Sequence, residues 1–329
     1  MTVSSPAAPA ARTRRRLVDR WFLVGLVIVV GLVVGSLLTG QFDTFGDVEG
    51  VPMFNITRIP RTLALIFAGA AMSMCGLVMQ LLTQNRFVEP TTTGTTEWAG
   101  LGLLTVMIIS PTATMLAKMT GAVVFAFVGT MIFFLFLRRV SLRSSLIVPI
   151  VGIMLGAVVS AVSTFVALET DTLQNLGVWF QGSFTRIVRG NYEYLWITVI
   201  VGVLIFVAAD RFTVAGLGVE VATNVGLNYY RILMIGTVLV AVATGVVTVV
   251  VGNLPFLGLI VPNIVSMIRG DDLRSNLPWV CLVGVAIVTL CDLIGRTIIS
   301  PFEVPVSLIL GVLGAVVFVA LVLRQRRRG

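Results

Sequence analysis

The sequence predicts an all-α, polytopic membrane protein with about ten transmembrane helices, one of them short and broken, and both termini in the cytoplasm. Of its 329 residues, 57% are apolar and only 12% are charged, and the mean hydropathy is +1.04. Soluble domains carry about a quarter charged residues. Because a soluble core could not bury so much apolar surface, lipid must surround most of the chain, which excludes a soluble globular protein.

Nine apolar stretches are long enough, or nearly long enough, to cross a bilayer. In chain order they cover 21–38, 62–82, 93–110, 113–137, 144–168, 194–209, 231–251, 277–298 and 304–323. A tenth stretch, 254–267, is shorter and contains Pro255 and Pro262, which is typical of a partial helix buried in protein. Counting it gives ten crossings, and this even number places both termini on one side.

The two ends of the chain are basic. Residues 1–20 contain four arginines within positions 12–16 and are predicted to form a disordered tail. Residues 21–323 form a single transmembrane domain, and 324–329 form a basic C-terminal tail. No small-residue cleavage pattern follows the tail, so the first apolar stretch is predicted to be an uncleaved helix and not a signal peptide.

The basic residues divide unevenly between the two sides of this predicted bundle. With the N terminus in the cytoplasm, all but six of the 23 Lys and Arg residues fall on the cytoplasmic side. The six on the outside are Arg58, Arg61, Lys118, Arg186, Arg189 and Arg296. This asymmetry follows the positive-inside rule and supports the ten-span topology.

The motifs of several common catalytic sites are missing. Lys118 is the only lysine, and it is followed by methionine, so the chain cannot form a Walker A phosphate-binding loop. Histidine is absent, and the three cysteines form no Cys-x-x-Cys pair. We therefore expect no enzyme activity, no catalytic residues and no metal or cofactor bound by this chain.

Two carboxylates fall within predicted spans, where they could serve an ion-coupled secondary transporter. Asp292 lies four residues before Arg296, so a local ion pair explains it at least as well as a proton relay. Glu97 lies near the start of the third span. Hydration at the nearby cytoplasmic interface explains Glu97 about as well as a functional role.

Three arginines lie at helix ends on the predicted outer side, where the positive-inside rule disfavours them. Arg58 and Arg61 occur in Arg-Ile-Pro-Arg before the second span, and Arg296 lies late in the ninth. A guanidinium group is suited to bind carboxylates of another protein. Anchoring to lipid phosphate groups is the alternative.

The cytoplasmic segment 217–226 is predicted to form a short helix bounded by glycines. Leu217, Val221, Ala222 and Val225 fall on one helical face. Such a helix could dock in a groove of a partner subunit. It could also lie on the membrane surface, although it lacks the Lys/Arg-rich face that surface binding favours.

Taken in order, several motifs resemble the permease subunits of iron–siderophore ABC importers, the family that includes the vitamin B12 permease. The motifs are Arg58–Arg61, the small-residue stretch 69–80, Asn85–Pro90, the loop 217–226 and Gly-x-x-x-Phe-x-Gly-Leu-x-x-Pro at 252–262. The resemblance covers about residues 20–325. Two departures, Arg86-Phe87-Val88 after Asn85 and Asn263 after Pro262, look most like permeases for catecholate-type siderophores.

The resemblance implies a permease of the bacterial inner membrane that works in a larger assembly. Two cytoplasmic ATPase subunits would bind ATP and Mg²⁺, and a second permease chain, often a different one in this subfamily, would complete the pathway. A binding protein outside would deliver the ferric siderophore and dock on Arg58, Arg61 and Arg296. Contacts to the ATPase would come from Leu217, Gly218, Glu220, Ala222 and Gly226.

We expect the pathway to bind its bulky cargo only weakly, so that the cargo can leave. The candidate lining residues are Glu97, Ser160, Ser163, Thr164, Trp179 and Phe180. A permease for haem or cobalamin in the same family is the nearest alternative. An ion-coupled secondary transporter is a more distant one, and a membrane scaffold without transport activity is a third.

Overall fold

The computed structural model describes residues 19–40, 50–139, 146–270, 272–299 and 301–326, and every regular element within these ranges is helical. This agrees with the predicted all-α class. Most of both predicted tails, 1–18 and 327–329, lies outside the described residues. Of the remainder, Asp19 is the N-cap of the first helix, and Arg20 and 324–326 belong to the first and last helices.

The helices follow one another with short connections. They are α1 (Arg20–Leu38), α2 (Gly50–Met53), α3 (Ile59–Leu82), α4 (Thr95–Ile109), α5 (Met115–Arg139), α6 (Ile147–Glu169), α7 (Leu173–Phe180), α8 (Trp196–Val207), α9 (Ala209–Ala215), α10 (Val219–Asn224), α11 (Tyr229–Val250), α12 (Leu257–Arg269), α13 (Leu273–Thr297) and α14 (Val306–Arg326). A π-helical turn, Phe54–Arg58, precedes α3, and a 3₁₀ turn, Tyr192–Leu195, precedes α8.

Each of the ten predicted apolar stretches corresponds to a helix, but the helices differ in length. Among the described residues, seven are long and apolar enough to cross a membrane, and the segment 192–215, bent by 63° between α8 and α9, could be an eighth. The apolar helices α4 and α12 are shorter. The count of ten crossings and the cytoplasmic location of both termini therefore stay predictions.

The centre of the bundle is formed by α3 and α11, which are buried on almost all sides, whereas α1 and α14 bury few of their side chains. A helix that is apolar all round is expected to lie in the interior. Helices α13, α12 and α8 pack against α3, and α5 packs against α11. The central helix α3 thus runs from one end of the molecule to the other.

The two ends of the bundle have different compositions. At the end where α3 begins, which we call the Arg61 end, Arg61 and Arg296 meet Asp292 and Glu303. At the other end, which we call the α10 end, the Tyr229 hydroxyl donates a hydrogen bond to the Leu82 carbonyl oxygen at 3.3 Å. Arg274 pairs with Asp210 at the same end, at 2.7 Å.

The helices α3 and α12 approach each other so closely that only glycine fits between them. A Cβ atom placed on Gly76 would lie 2.0 Å from the carbonyl oxygen of Gly258 and 2.2 Å from its Cα atom. Small residues allow such backbone contacts between helices in a membrane. The position of α12 in the bundle therefore depends on Gly76.

We expect Gly76→Ala to destabilise the protein by roughly 1–3 kcal/mol or more, because the added methyl group would overlap backbone atoms that cannot rotate away. Gly31→Ala in α1 is the matched control, since a Cβ atom there meets nothing within 4 Å. Thermal unfolding of the purified variants in detergent would measure the difference. Equal melting temperatures for the two variants would contradict the assigned contact.

The short helix α12 begins at an irregular point and contains a proline, as its sequence predicts. It starts after Phe256, whose φ of 60° lies in the left-handed region. Pro262 has no N–H group to bond to the carbonyl group of Gly258, four residues earlier. The Gln80 side chain donates to that oxygen instead, at 3.4 Å, so α3 supplies the missing hydrogen bond.

Candidate functional site

Arg61 lies in an ion-pair network at the Arg61 end. Its guanidinium group donates to the Asp292 carboxylate at 2.7 and 3.2 Å. Two further hydrogen bonds, of 3.0 and 2.9 Å, join it to the two carboxylate oxygens of Glu303. Such bidentate pairs between arginine and carboxylates are among the stronger hydrogen bonds in proteins. Arg61 therefore connects α3 to α13 and to the loop that precedes α14.

Arg296 completes the network from the other side of Asp292. It donates to Asp292 Oδ2 at 2.8 Å through Nε, which confirms the local ion pair that the four-residue spacing predicts. The same guanidinium group donates to the Ser36 hydroxyl at 2.7 Å and to the Thr39 carbonyl oxygen at 2.9 Å. The end of α1 is thereby joined to α13, and the buried Asp292 is neutralised by two arginines.

Arg58, the third predicted docking residue, is buried beside the end of α1. Its guanidinium group donates to the carbonyl oxygen of Leu37 at 3.2 Å. Arg58 is only 8% exposed. The Arg61 side chain is 13% exposed and the Arg296 side chain is 8% exposed. All three arginines thus bond within the chain, and the docking role assigned to them stays a prediction.

Glu303 is the more accessible acid of this network. It lies in the loop between α13 and α14, and its Oε2 atom also accepts a hydrogen bond from the Thr185 hydroxyl at 2.6 Å. Partial desolvation opposes ionisation, but hydrogen bonds from Arg61 and Thr185 outweigh it and lower the pKa of Glu303. Glu303 therefore remains ionised at neutral pH and holds the loop 181–191 against Arg61.

This lowered pKa predicts a pH-dependent contribution to stability. Because the folded-state pKa of Glu303 lies below its unfolded value of about 4.3, the pair stabilises the protein above that value and is lost as the pH falls through the lowered pKa. Glu303→Gln should lower the melting temperature by about 1–3 °C at neutral pH. The difference from wild type should vanish on strong acidification, and a difference that persists there would contradict this assignment.

A cavity of about 420 Å³ between α6 and α7 brings together four of the predicted pathway residues, Ser160, Ser163, Thr164 and Phe180. The hydroxyl groups of Ser163 and Thr164 donate to carbonyl oxygens of their own helix one turn earlier, at 2.9 and 2.8 Å. Their oxygen atoms keep lone pairs that can accept further hydrogen bonds. The cavity therefore has a hydroxyl-bearing wall on α6 and an apolar wall on α7.

The other two predicted pathway residues, Glu97 and Trp179, lie outside this cavity wall. The Glu97 Oε2 atom is buried and has no hydrogen-bond partner among the described residues. It lies near Gly156 of α6, where a Cβ atom would be 3.4 Å away. Glu97 is half-buried as a whole, so the hydration interpretation and the functional one both stay predictions. Trp179 lies at the end of α7 beside Lys118 and Arg186.

The loop between α3 and α4 is fixed to α12 by a residue that the sequence reasoning did not single out, Glu89. This fully buried carboxylate accepts hydrogen bonds from the Phe256 backbone N–H group at 2.7 Å and from the Thr91 hydroxyl. Asn263 donates from α12 to the Arg86 carbonyl oxygen at 2.8 Å. These hydrogen bonds join the loop between α3 and α4 to α12, so Glu89 and Asn263 hold the broken helix in place.

At the α10 end, α10 confirms the short helix predicted within 217–226. Gly218 and Gly226 bound it with φ angles of 109° and 82°, which favour glycine. Leu217 and Val225 are 64% and 66% exposed, whereas Ala222 is fully buried. Of the residues predicted to share one helical face, Ala222 thus packs against its own chain, and its contact to an ATPase subunit stays a prediction.

Two clefts flank α10 and provide space for a partner protein. One, of about 270 Å³, is lined by Gln84 and Leu217 together with polar residues of α3 and α13. The other, of about 420 Å³, is lined by Gln84, Val219 and residues of α5 and α11. Glu220 is exposed on α10. The combination of exposed apolar side chains and adjacent clefts is typical of a docking surface.

Comparison with known proteins shows that this chain is similar to transport proteins. A family model described as the FecCD transport family matches residues 22–324. The petrobactin import system permease protein FatD of Bacillus anthracis is 59% identical over 325 residues, which cover 99% of this chain and 97% of that protein. The petrobactin import system permease protein YclN of Bacillus subtilis is 43% identical, covering 90% and 96%.

A solved structure of another protein is similar to this chain in its fold. An inward-facing structure of a metal-chelate type ABC transporter matches this chain with a TM-score of 0.79 and 22% sequence identity. The match covers 93% of this chain and 99% of the other. The two chains therefore have the same fold.

Proposed function

Because this chain belongs to the FecCD transport family, we propose that it is the membrane-spanning permease subunit of a type II ABC importer for ferric siderophores, of the catecholate type. The observation that carries this proposal is the 59% identity to a petrobactin permease over nearly the whole chain. The family match confirms the resemblance predicted from the ordered motifs. The chain is a transport subunit of the bacterial cell membrane.

The alternative functions are less well supported. A haem or cobalamin permease would have the same fold, but both relatives described above are petrobactin permeases. A proton-coupled carrier needs a carboxylate that can change its protonation state during transport. Asp292 already forms ion pairs with two arginines, which explains this buried carboxylate without a role in proton coupling.

The proposed topology has ten crossings, in which α4 and α12 join the longer helices as short spans. The α10 end then faces the cytoplasm, and the Arg61 end faces outward. The uneven distribution of basic residues supports this orientation. A substituted cysteine at Leu217, labelled only after the membrane is permeabilised, would support it, whereas labelling in intact cells would contradict it.

We assign the driving force to two separate ATPase subunits, which hold ATP and Mg²⁺ below the bundle, while this chain binds no cofactor. The surface that contacts the ATPase subunits is provided or shaped by Leu217, Gly218, Glu220 and Gly226. Ala222 holds α10 against the rest of this chain. Because α10 follows directly after the bent segment formed by α8 and α9, movement of the ATPase subunits would reach the membrane helices directly.

A second permease chain, different from this one, completes the proposed pathway, and a binding protein delivers cargo at the Arg61 end. There, the acidic residues of the binding protein would compete with Glu303 for Arg61, near Arg58 and Arg296. Glu303 is the accessible member of the network and the more easily displaced. Electrostatic complementarity of this kind sets orientation and association rate.

The proposed pathway passes the cavity between α6 and α7 and continues toward Glu97. Its walls offer hydroxyl groups and an aromatic ring but no fixed cluster of charges, which suits weak binding during passage.

Uptake of radiolabelled iron tests this function. In the host strain, deletion of this chain should abolish uptake of ferric petrobactin, and expression of the chain from a plasmid should restore it. Uptake of cobalamin and haem in the same strains provides the comparison. Loss of one of these with unchanged petrobactin uptake would contradict the proposal and favour the corresponding alternative.

A further inference from the structure

Two cations face the same aromatic ring at the Arg61 end. The Lys118 Nζ atom lies 5.8 Å from the centroid of the Trp179 ring, and the Arg186 Cζ atom lies 5.5 Å from it. The three residues come from the start of α5, the end of α7 and the loop 181–191. Each distance is within the range of a cation–π interaction. We call this group the Trp179 cluster.

The backbone around the Trp179 cluster is held in place by the segment that leads into α12. A Cβ atom on Gly252, whose φ is 103°, would lie 2.8 Å from the Trp179 carbonyl oxygen, so glycine allows this close approach. Ser183 donates from its backbone N–H group to the Val251 carbonyl oxygen at 3.1 Å. Arg186 donates to the Val178 carbonyl oxygen at 2.8 Å. The cluster is therefore anchored to the scaffold.

The positive charge of the cluster is not neutralised by any carboxylate in the part of the chain that the structure describes. Within the described ranges, no carboxylate forms an ion pair with Lys118 or Arg186. Arg186 is exposed and Lys118 is half-buried. Partial burial lowers the pKa of Arg186, yet arginine remains charged at neutral pH. Two cations that no described carboxylate pairs with, beside an aromatic ring, form a site for an anion that also has an aromatic or planar surface.

The position of the cluster connects it to the proposed pathway. Phe180, the residue after Trp179, lines the cavity that also contains Ser160 and Thr164. Trp179 itself is half-buried and packs against the core of the bundle. A ligand held at the cluster would therefore lie next to the entrance of that cavity.

We propose that Lys118, Trp179 and Arg186 form a receiving site for the anionic iron-binding groups of the ferric siderophore as it leaves the binding protein. This inference rests on the proposed function. The catecholate and carboxylate oxygens that bind ferric iron together carry more negative charge than the metal carries positive charge, so the chelate is an anion. Lys118 and Arg186 attract its oxygen atoms, and Trp179 contacts the catechol rings. The siderophore stays at this site only briefly, because the two cations are partly hydrated.

Transport by the complete importer in lipid vesicles tests this site. The probe is ferric petrobactin on its binding protein, and the variants are Lys118→Gln, Arg186→Gln and the double variant. We expect the double variant to lower the uptake rate per assembled complex by about tenfold, which corresponds to about 1.4 kcal/mol. Affinity for the unloaded binding protein should stay unchanged. Arg189→Gln removes the same charge from an exposed residue of the same loop and should leave uptake within about twofold of wild type.

Chemical labelling provides a second measurement that does not need transport. Lys118 has the only lysine amine of the chain, so a membrane-impermeant amine reagent modifies one known side chain, which mass spectrometry can identify. Free ferric petrobactin should slow this modification. Inorganic phosphate at the same ionic strength, a mimic of the charge of a lipid headgroup, should not slow it to the same extent.

Each outcome either supports or overturns the site. Unchanged uptake in the double variant, or weaker binding of the unloaded protein, would overturn it, and the second result would make the cluster a protein-docking contact. Equal protection by phosphate would identify a general anion or headgroup site. Failure of the wild-type importer to take up the chelate would overturn the proposed function, and Lys118 protection would still decide whether the cluster binds the chelate.

Discussion

Replacing Leu217 by Asp should prevent the ATPase subunits from binding and thereby stop transport. Leu217 is 64% exposed beside α10, so the change adds a charge to the surface without disturbing the fold. Loss of a central apolar contact in an interface costs about 2 kcal/mol or more, and affinity should fall about thirtyfold or more. The amount of ATPase that copurifies with the tagged chain measures this effect, and uptake of radiolabelled iron should fall with it.

Two further variants make this result specific to α10. Gly218→Pro cannot adopt the φ of 109° at that position, so it should abolish binding as well. Asn175→Asp adds the same charge as Leu217→Asp at an exposed position of α7 and should leave ATPase binding intact. Normal copurification of the ATPase with the Leu217→Asp chain would contradict the docking role of this surface.

Replacing Asp292 by Asn should destabilise the protein by about 3–5 kcal/mol, because it leaves Arg61 and Arg296 without their shared buried counter-ion. The Asp292 side chain is fully buried, so water cannot take its place. Thermal unfolding of the purified chain, and the amount of folded protein in the membrane, would measure the loss.

A double variant separates loss of the charge balance from loss of the side chain. Asp292→Leu with Arg296→Leu removes an anion and a cation together, and Arg61 keeps Glu303 as its partner. Replacing a whole buried pair by apolar residues is often nearly neutral. The double variant should therefore be more stable than Asp292→Asn, and a double variant that is less stable would contradict this account of the network.

The sequence was sufficient to predict the fold class because lipid imposes a simple constraint. A long apolar stretch in a membrane protein must be helical to satisfy its backbone groups, so all ten predicted stretches are helices. The short helices α7 and α9 were not predicted. The position of α7 depends on contacts between distant parts of the chain, such as the Phe180 ring against Gly100.

The parts of the site that depend on local sequence were also predictable. Gly218 and Gly226 bound α10 because the turns need positive φ angles, and Arg296 pairs with Asp292 because they are four residues apart. Arg61 and Asp292 are separated by 231 residues, and no local pattern connects them. The hydrogen bond from Phe256 to Glu89 likewise requires the folded bundle.

The subunits that associate with this chain in the membrane provide the most direct test of the proposed function. A tagged wild-type chain, isolated from native membranes with a mild detergent, would be examined by mass spectrometry for the proteins that remain bound. We predict an ATPase, a different second permease chain and an extracytoplasmic binding protein. Recovery of a well-folded chain without any ATPase would contradict the importer assignment and would favour a secondary transporter.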